Sequence, residues 1–133
     1  MKRLAFLPLA IGFAVGLAFS TRAAAAPQTG VDLLEECQLA TMDNSTQTGL
    51  QMTKAMHCMG YLSGVMDSYL VWEVYNDEAK GHILPPACFP DHVTLIELAR
   101  VVVKFLNDHP NKLHEEYGFL VISALRDAYP CTR

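Results

Sequence analysis

No Cys-x-x-Cys pair and no His-Glu-x-x-His spacing occurs in the 133 residues, although four cysteines and five histidines are present, so the commonest zinc-binding patterns are excluded. No Lys-Ser or Lys-Thr follows the Gly60-x-x-x-Gly64 pair, which removes a phosphate-cradling loop. Runs of strict apolar and polar alternation bounded by turn residues are also missing, and with them the signature of a β-sheet. Basic residues are scarce, ten Lys and Arg against fourteen Asp and Glu.

Three of those basic residues, Lys2, Arg3 and Arg22, lie in the first 26 positions. Lys2 and Arg3 precede an uncharged apolar run from Leu4 to Phe19, followed by Ala23-Ala24-Ala25-Ala26. That is the layout of a secretory signal peptide. Pro8, Gly12 and Gly16 interrupt the run and its length is marginal for spanning, which argues against a membrane anchor. The first cysteine is Cys37, too late to accept a lipid at the end of the run. The expectation is a signal peptide over 1–26, export to the periplasm, and one domain over 27–133. Cleavage would remove no acidic residue and shift the formal charge from −4 to −7. Such a surface disfavours nucleic acid and anionic membrane as partners and suits the steering of a basic protein.

Cys37, Cys58, Cys88 and Cys131 all lie in the exported part, are even in number, and would meet an oxidising compartment. Two disulfides follow, each contributing roughly 2 to 4 kcal/mol. Three pairings are open, and adjacency along the chain favours Cys37 with Cys58 and Cys88 with Cys131.

The apolar periodicity is helical throughout and predicts an all-α array of four main helices. Leu33, Leu34, Cys37 and Ala40 give a short first helix one stripe, ending before the polar loop Asp43 to Gly49. A central helix is expected from about Gln51 to Tyr75, with Cys58, Leu62, Val65, Tyr69 and Trp72 on one face. Gly60 and Gly64 cost that helix about 1 kcal/mol each relative to alanine, and close approach of another helix would offset the loss. A groove for a partner chain is the alternative. Gly81, Pro85-Pro86 and Pro90 make Asn76 to Asp91 an exposed loop tied by Cys88. Thr94 and Glu97 form a capping box at the start of the third helix, where Val93 can staple onto Leu98. That helix buries Leu98, Val101, Val102, Phe105 and Leu106 and ends at Asn107-Asp108-His109-Pro110. The fourth carries Leu113, Tyr117, Leu120, Val121, Ala124, Leu125 and Ala128 on its core side and stops at Pro130.

In order along the chain, Cys58-Met59-Gly60-Tyr61-Leu62-Ser63-Gly64-Val65, Cys88-Phe89-Pro90, Val93-Thr94, Val101-Val102-Val103-Lys104-Phe105-Leu106, His109-Pro110, Ala124-Leu125 and Tyr129-Pro130-Cys131 resemble the Rap/Tai family of type VI secretion immunity proteins. The resemblance covers almost the whole exported chain. It implies a periplasmic helical domain, often a homodimer, whose four cysteines pair and which binds and blocks a peptidoglycan-cleaving amidase effector. The matching positions are glycines, cysteines, prolines and apolar residues, so they speak for the fold and not for the binding surface.

Chemistry finds little footing. His57 beside Cys58 is the one suggestive pair, but adjacent helical residues point about 100° apart and Cys58 is expected in a disulfide. No catalytic residue, metal or cofactor is therefore assigned. Partner binding is placed on Glu73, Tyr75, Asp77, Glu78 and His82, beside Trp72, where the central helix meets the loop and aromatics sit next to acids. The rival reading is an acid-stress periplasmic chaperone whose histidines and carboxylates titrate and expose apolar faces. A ligand-carrying helical module is a third.

Overall fold

Three of the four helices begin on a threonine whose backbone N–H donates to a side chain three residues ahead. In the computed structural model, which describes residues 28–78 and 85–131, helix α1 (Gly30–Ala40) follows Thr29, whose N–H meets Asp32 Oδ2 at 2.9 Å. Helix α2 (Gly49–Glu78) follows Thr48, which exchanges hydrogen bonds with Gln51 at 2.9 and 3.3 Å. Helix α3 (Leu95–Asp108) follows Thr94, whose capping box with Glu97 forms as the sequence predicts, at 2.7 and 3.3 Å. Each box satisfies amides that a helix start leaves without a partner inside the helix. The Thr48-x-x-Gln51 box explains why α2 starts two residues before the expected Gln51.

Helix α4 (Tyr117–Ala128) starts later than expected. Leu113, which periodicity assigns to this helix, lies in the turn before it, and Pro110 opens a short 3-10 turn over Pro110–Lys112. The reason is a competing set of bonds. The first amides of α1 take the carbonyls of this connection, Gly30 N–H donating to Glu115 at 3.1 Å and Val31 N–H to Leu113 at 3.2 Å. Thr29 and Glu116 thereby form an isolated antiparallel bridge. Apart from this bridge no extended pairing occurs among the described residues, so the fold is all-α.

α1 packs against α2 and α3, and α3 packs against α4. Leu33, Leu62, Leu98, Val102, Leu106, Leu120, Val121 and Leu125 fill the space between them and are essentially inaccessible. Burying a leucine of this kind contributes about 1.5 to 3 kcal/mol. The Cys37–Cys58 disulfide fastens α1 to α2 inside this core, and Cys88–Cys131 ties the segment before α3 to the end of α4. Adjacency along the chain thus identified both pairs. Cys88 N–H also donates to Tyr129 O at 2.9 Å, and the Phe89 ring lies edge-on to Tyr69 at 4.9 Å. This anchorage holds the residues from Pro85 to Asp91 against the body.

Two further expectations are corrected. Asn76, Asp77 and Glu78, read as loop, belong to the last turn of α2. Among the described residues no helix packs over Gly60 and Gly64: a Cβ built on either meets nothing within 4 Å. Cys58, Leu62 and Tyr69 set the core face of α2, and at 100° per residue the two glycines fall on the opposite side. Residues 1–26, read as a signal peptide, lie outside the described residues, as does His82.

The caps make the fold sensitive to acid. Donation from the backbone N–H of Thr94 holds the Glu97 carboxyl below its ordinary 4.5, and donation from that of Thr29 holds Asp32 below its ordinary 3.8. A carboxyl whose pKa is lower in the folded than in the unfolded chain stabilises the fold above the unfolded value, and that stability drains as pH falls through the folded value. Urea midpoints should therefore be flat above pH 4.5 as far as these groups are concerned and fall below it. Glu97→Gln should shallow that fall, because the amide keeps an acceptor and loses the titration; an unchanged slope would remove the cap from the account.

Candidate partner-binding surface

At 30 residues α2 is about 45 Å long, and its C-terminal half has more apolar residues than one core face can bury. Leu70, Val71, Val74 and Tyr75 are all more than half exposed. On α4, Phe119 and Ile122 are exposed as well, at 60% and 44%. Between the two helices runs an apolar groove of roughly 260 Å³, with Tyr61, Val65, Tyr69 and Trp72 from α2 on one side, Gly118 and Ile122 from α4 on the other, and Pro86 closing it. Trp72, expected on the core stripe, is half-buried and stands between this groove and a second, roughly 400 Å³ depression lined by Ser68, Val71, Tyr75 and Asn76. Contiguous exposed apolar patches are a common feature of contact sites on small domains, which makes these grooves the candidate surface.

Tyr69 is nine-tenths buried, with its hydroxyl unpartnered and its pKa pushed up by burial. Gly118 provides the clearance that seats Tyr61: a Cβ there would come within 2.9 Å of the Tyr61 hydroxyl. The C-terminal half of α2 is acidic, while α4 carries Arg126 one turn beyond Ile122. From Ala55 to Glu78 α2 carries Asp67, Glu73, Asp77 and Glu78 and no lysine or arginine.

Glu73 and Tyr75 are exposed on α2, but two helical positions apart they point to different sides. Tyr75 lines the depression beside Trp72. Asp77 and Glu78 are described as backbone of the final turn only, and His82 falls outside the described residues. Of the expected cluster, the structure thus describes two side chains, Glu73 and Tyr75, on different sides of the helix. Val71, Phe119 and Ile122, which sequence reasoning did not select, line or flank the grooves instead. The signal for them was present: they are apolar residues left over once the core stripes of α2 and α4 are drawn.

His57 and Cys58 do not form a reactive pair, because the Cys58 sulfur is bonded to Cys37. His57 Nδ1 lies 2.7 Å from Glu36 Oε2, and the same oxygen accepts a 2.7 Å bond from the Tyr117 hydroxyl. Burial first, and then the bond to Glu36, push the Tyr117 phenol well above its usual range. One carboxylate thus joins α1, α2 and α4 beside the buried disulfide. Glu36→Ala strands a buried hydroxyl and should cost about 1 to 3 kcal/mol, whereas Tyr117→Phe leaves Glu36 its histidine and should cost less. Urea unfolding of both variants and of the double variant checks the order; a larger loss for Tyr117→Phe would refute it.

Residues 29–131 match the family model for Rap1a immunity proteins. No curated protein and no solved structure shows a significant match to the chain.

Proposed function

The chain belongs to the family of Rap1a immunity proteins, and from that membership we propose that it is a periplasmic antidote of type VI secretion that binds a peptidoglycan amidase effector and blocks it without catalysing a reaction. The observation that carries this reading is the apolar surface formed by the C-terminal half of α2 and by α4. Trp72, Tyr75 and Ile122 are the anchors. Aromatic side chains lose little conformational freedom on docking and dominate contact energies. The acidic character of α2, to which Asp67, Glu73, Asp77 and Glu78 contribute, favours an effector surface that carries lysine or arginine next to apolar residues. The export reading of residues 1–26 supplies the compartment, and the paired cysteines agree with it.

The test begins with capture of the tagged, oxidised chain in a periplasmic extract and continues with the amidase it retains. One equivalent of purified chain should abolish hydrolysis of peptidoglycan fragments by that enzyme, and Tyr75→Ala or Ile122→Asp should weaken binding at least tenfold. An amidase that stays fully active with the chain bound would defeat the inhibitory reading. Retention of many unfolded proteins, growing as pH falls, would instead favour the acid-stress chaperone.

A further inference from the structure

The two disulfides stand in opposite surroundings. Cys37 and Cys58 are inaccessible between α1 and α2, whereas Cys88 is exposed and Cys131, just after α4, is half-buried. Thiol–disulfide exchange requires a thiolate to reach one of the two sulfurs, so access decides which bond reacts first. The outer bond is open to that attack, and the inner one is shielded for as long as the body stays folded.

The outer bond also holds a wall of the apolar groove. Pro86 closes the groove two residues before Cys88, and Phe89, the residue after it, packs edge-on to Tyr69 at 4.9 Å and beside Tyr129 at 5.3 Å. The stretch from Pro85 to Asp91 contains no helix or strand, and Ala87 is its one fully buried side chain. The bond from Cys88 N–H runs to Tyr129 O, so this bond and a Phe89 ring contact both end two residues before Cys131. They hold only while the chain beyond α4 stays in place. The closed arrangement also opposes itself at one point. The Tyr69 hydroxyl is buried with no hydrogen-bond partner, and an unpaired buried donor favours any movement that lets water reach it. Withdrawal of Phe89 from Tyr69 is such a movement.

We propose that Cys88–Cys131 is a redox-sensitive latch on the groove, opened by a dithiol reductant while Cys37–Cys58 stays closed. A thiolate of the reductant attacks the Cys88 sulfur, forming a mixed disulfide and expelling Cys131 as a thiolate, which takes up a proton. The second thiol of the reductant then attacks the reductant's own sulfur in the mixed disulfide and releases Cys88. The reductant leaves as a cyclic disulfide, and the two cysteines together gain two electrons and two protons. Without its covalent tie the segment from Pro85 to Asp91 lifts, and Pro86 and Phe89 leave the groove and Tyr69. The consequence for binding rests on the reading that the groove receives the effector: the chain completes its binding surface only where thiols are oxidised, and a reduced copy not yet exported has none.

Graded dithiothreitol on the oxidised, exported chain, followed by alkylation and peptide mass mapping, should label Cys88 and Cys131 at roughly a tenth of the concentration that labels Cys37 and Cys58. Trp72, the single tryptophan of the chain, lines the groove with Pro86 and reports its opening. Acrylamide should quench it about twice as steeply once the outer pair is reduced, with helical circular dichroism retained and the original value restored on reoxidation. Replacing Cys88 and Cys131 together by serine should reproduce the steeper quenching without reductant. Four thiols that appear together, with loss of helix, overturn the proposal. So does an outer pair that is reduced while Trp72 stays as shielded as before. The effector is read separately, with the captured amidase, whose binding should weaken about tenfold on reduction. An amidase that binds as tightly after Trp72 has opened leaves the latch standing and removes the groove from the effector site.

Discussion

Replacing Cys37 and Cys58 together by alanine should destabilise the protein by about 5 kcal/mol, roughly 1 kcal/mol more than replacing Cys88 and Cys131. Chain entropy alone ranks them the other way. The two bonds close separations of 21 and 43 residues, and loop-closure entropy assigns about 3.4 kcal/mol to the shorter and about 4.0 to the longer. Packing reverses the order. Cys37 and Cys58 are completely inaccessible, so truncation leaves voids between α1 and α2 that neighbouring side chains fill only in part. Cys88 is exposed and Cys131 half-buried, and their loss opens no comparable cavity. Small domains hold about 5 to 15 kcal/mol in total, so the inner variant sits at the edge of folding. Urea unfolding of the two double variants decides; a less stable outer variant would mean that loop length outweighs burial here.

The second large effect is a difference of sign within one residue type. Gly30→Ala should destabilise by about 3 kcal/mol, while Gly60→Ala and Gly64→Ala should each stabilise by up to about 1 kcal/mol. All three are helical glycines, and helix propensity favours alanine at each. A Cβ on Gly30, however, would lie 2.5 Å from Leu120 Cδ1 and 2.9 Å from the Leu113 Cα. Leu120 is fully buried among core side chains, and the Leu113 backbone is held by its bond from Val31. The start of α1 would have to lift off the turn before α4. Thermal unfolding of the three variants at low protein concentration measures this, and three shifts of the same sign would show that propensity governs all of them.

The cysteines illustrate how far the linear order reaches. Their even number, the apolar leader-like run ahead of them and their adjacency led to the two bonds that form, and Thr94 with Glu97 marked the start of α3 to the residue. These are local signals, since a cap or a stripe needs only residues within a turn or two. The start of α4 was misplaced because its competitor was remote. Leu113 continues the helical period, but its carbonyl is taken by Val31, more than 80 positions earlier. The candidate binding residues show the same limit. Charge and aromatic content drew attention to Glu73 and Tyr75, whereas the groove beside them depends on Ile122 and Gly118 from the last helix.

By itself, the sequence determined the helical class, the number of main helices and the acidic character of α2, and it favoured one of three cysteine pairings. Each follows from periodicity, capping or composition, which are properties of neighbours in the chain. Only the tertiary structure decided which glycine is crowded and which is bare, which apolar residues are surplus to the core, and that one carboxylate, Glu36, binds both Tyr117 and His57. Those outcomes depend on what other helices bring to a given face, and a helix's own periodicity says which way a side chain points without saying what waits there.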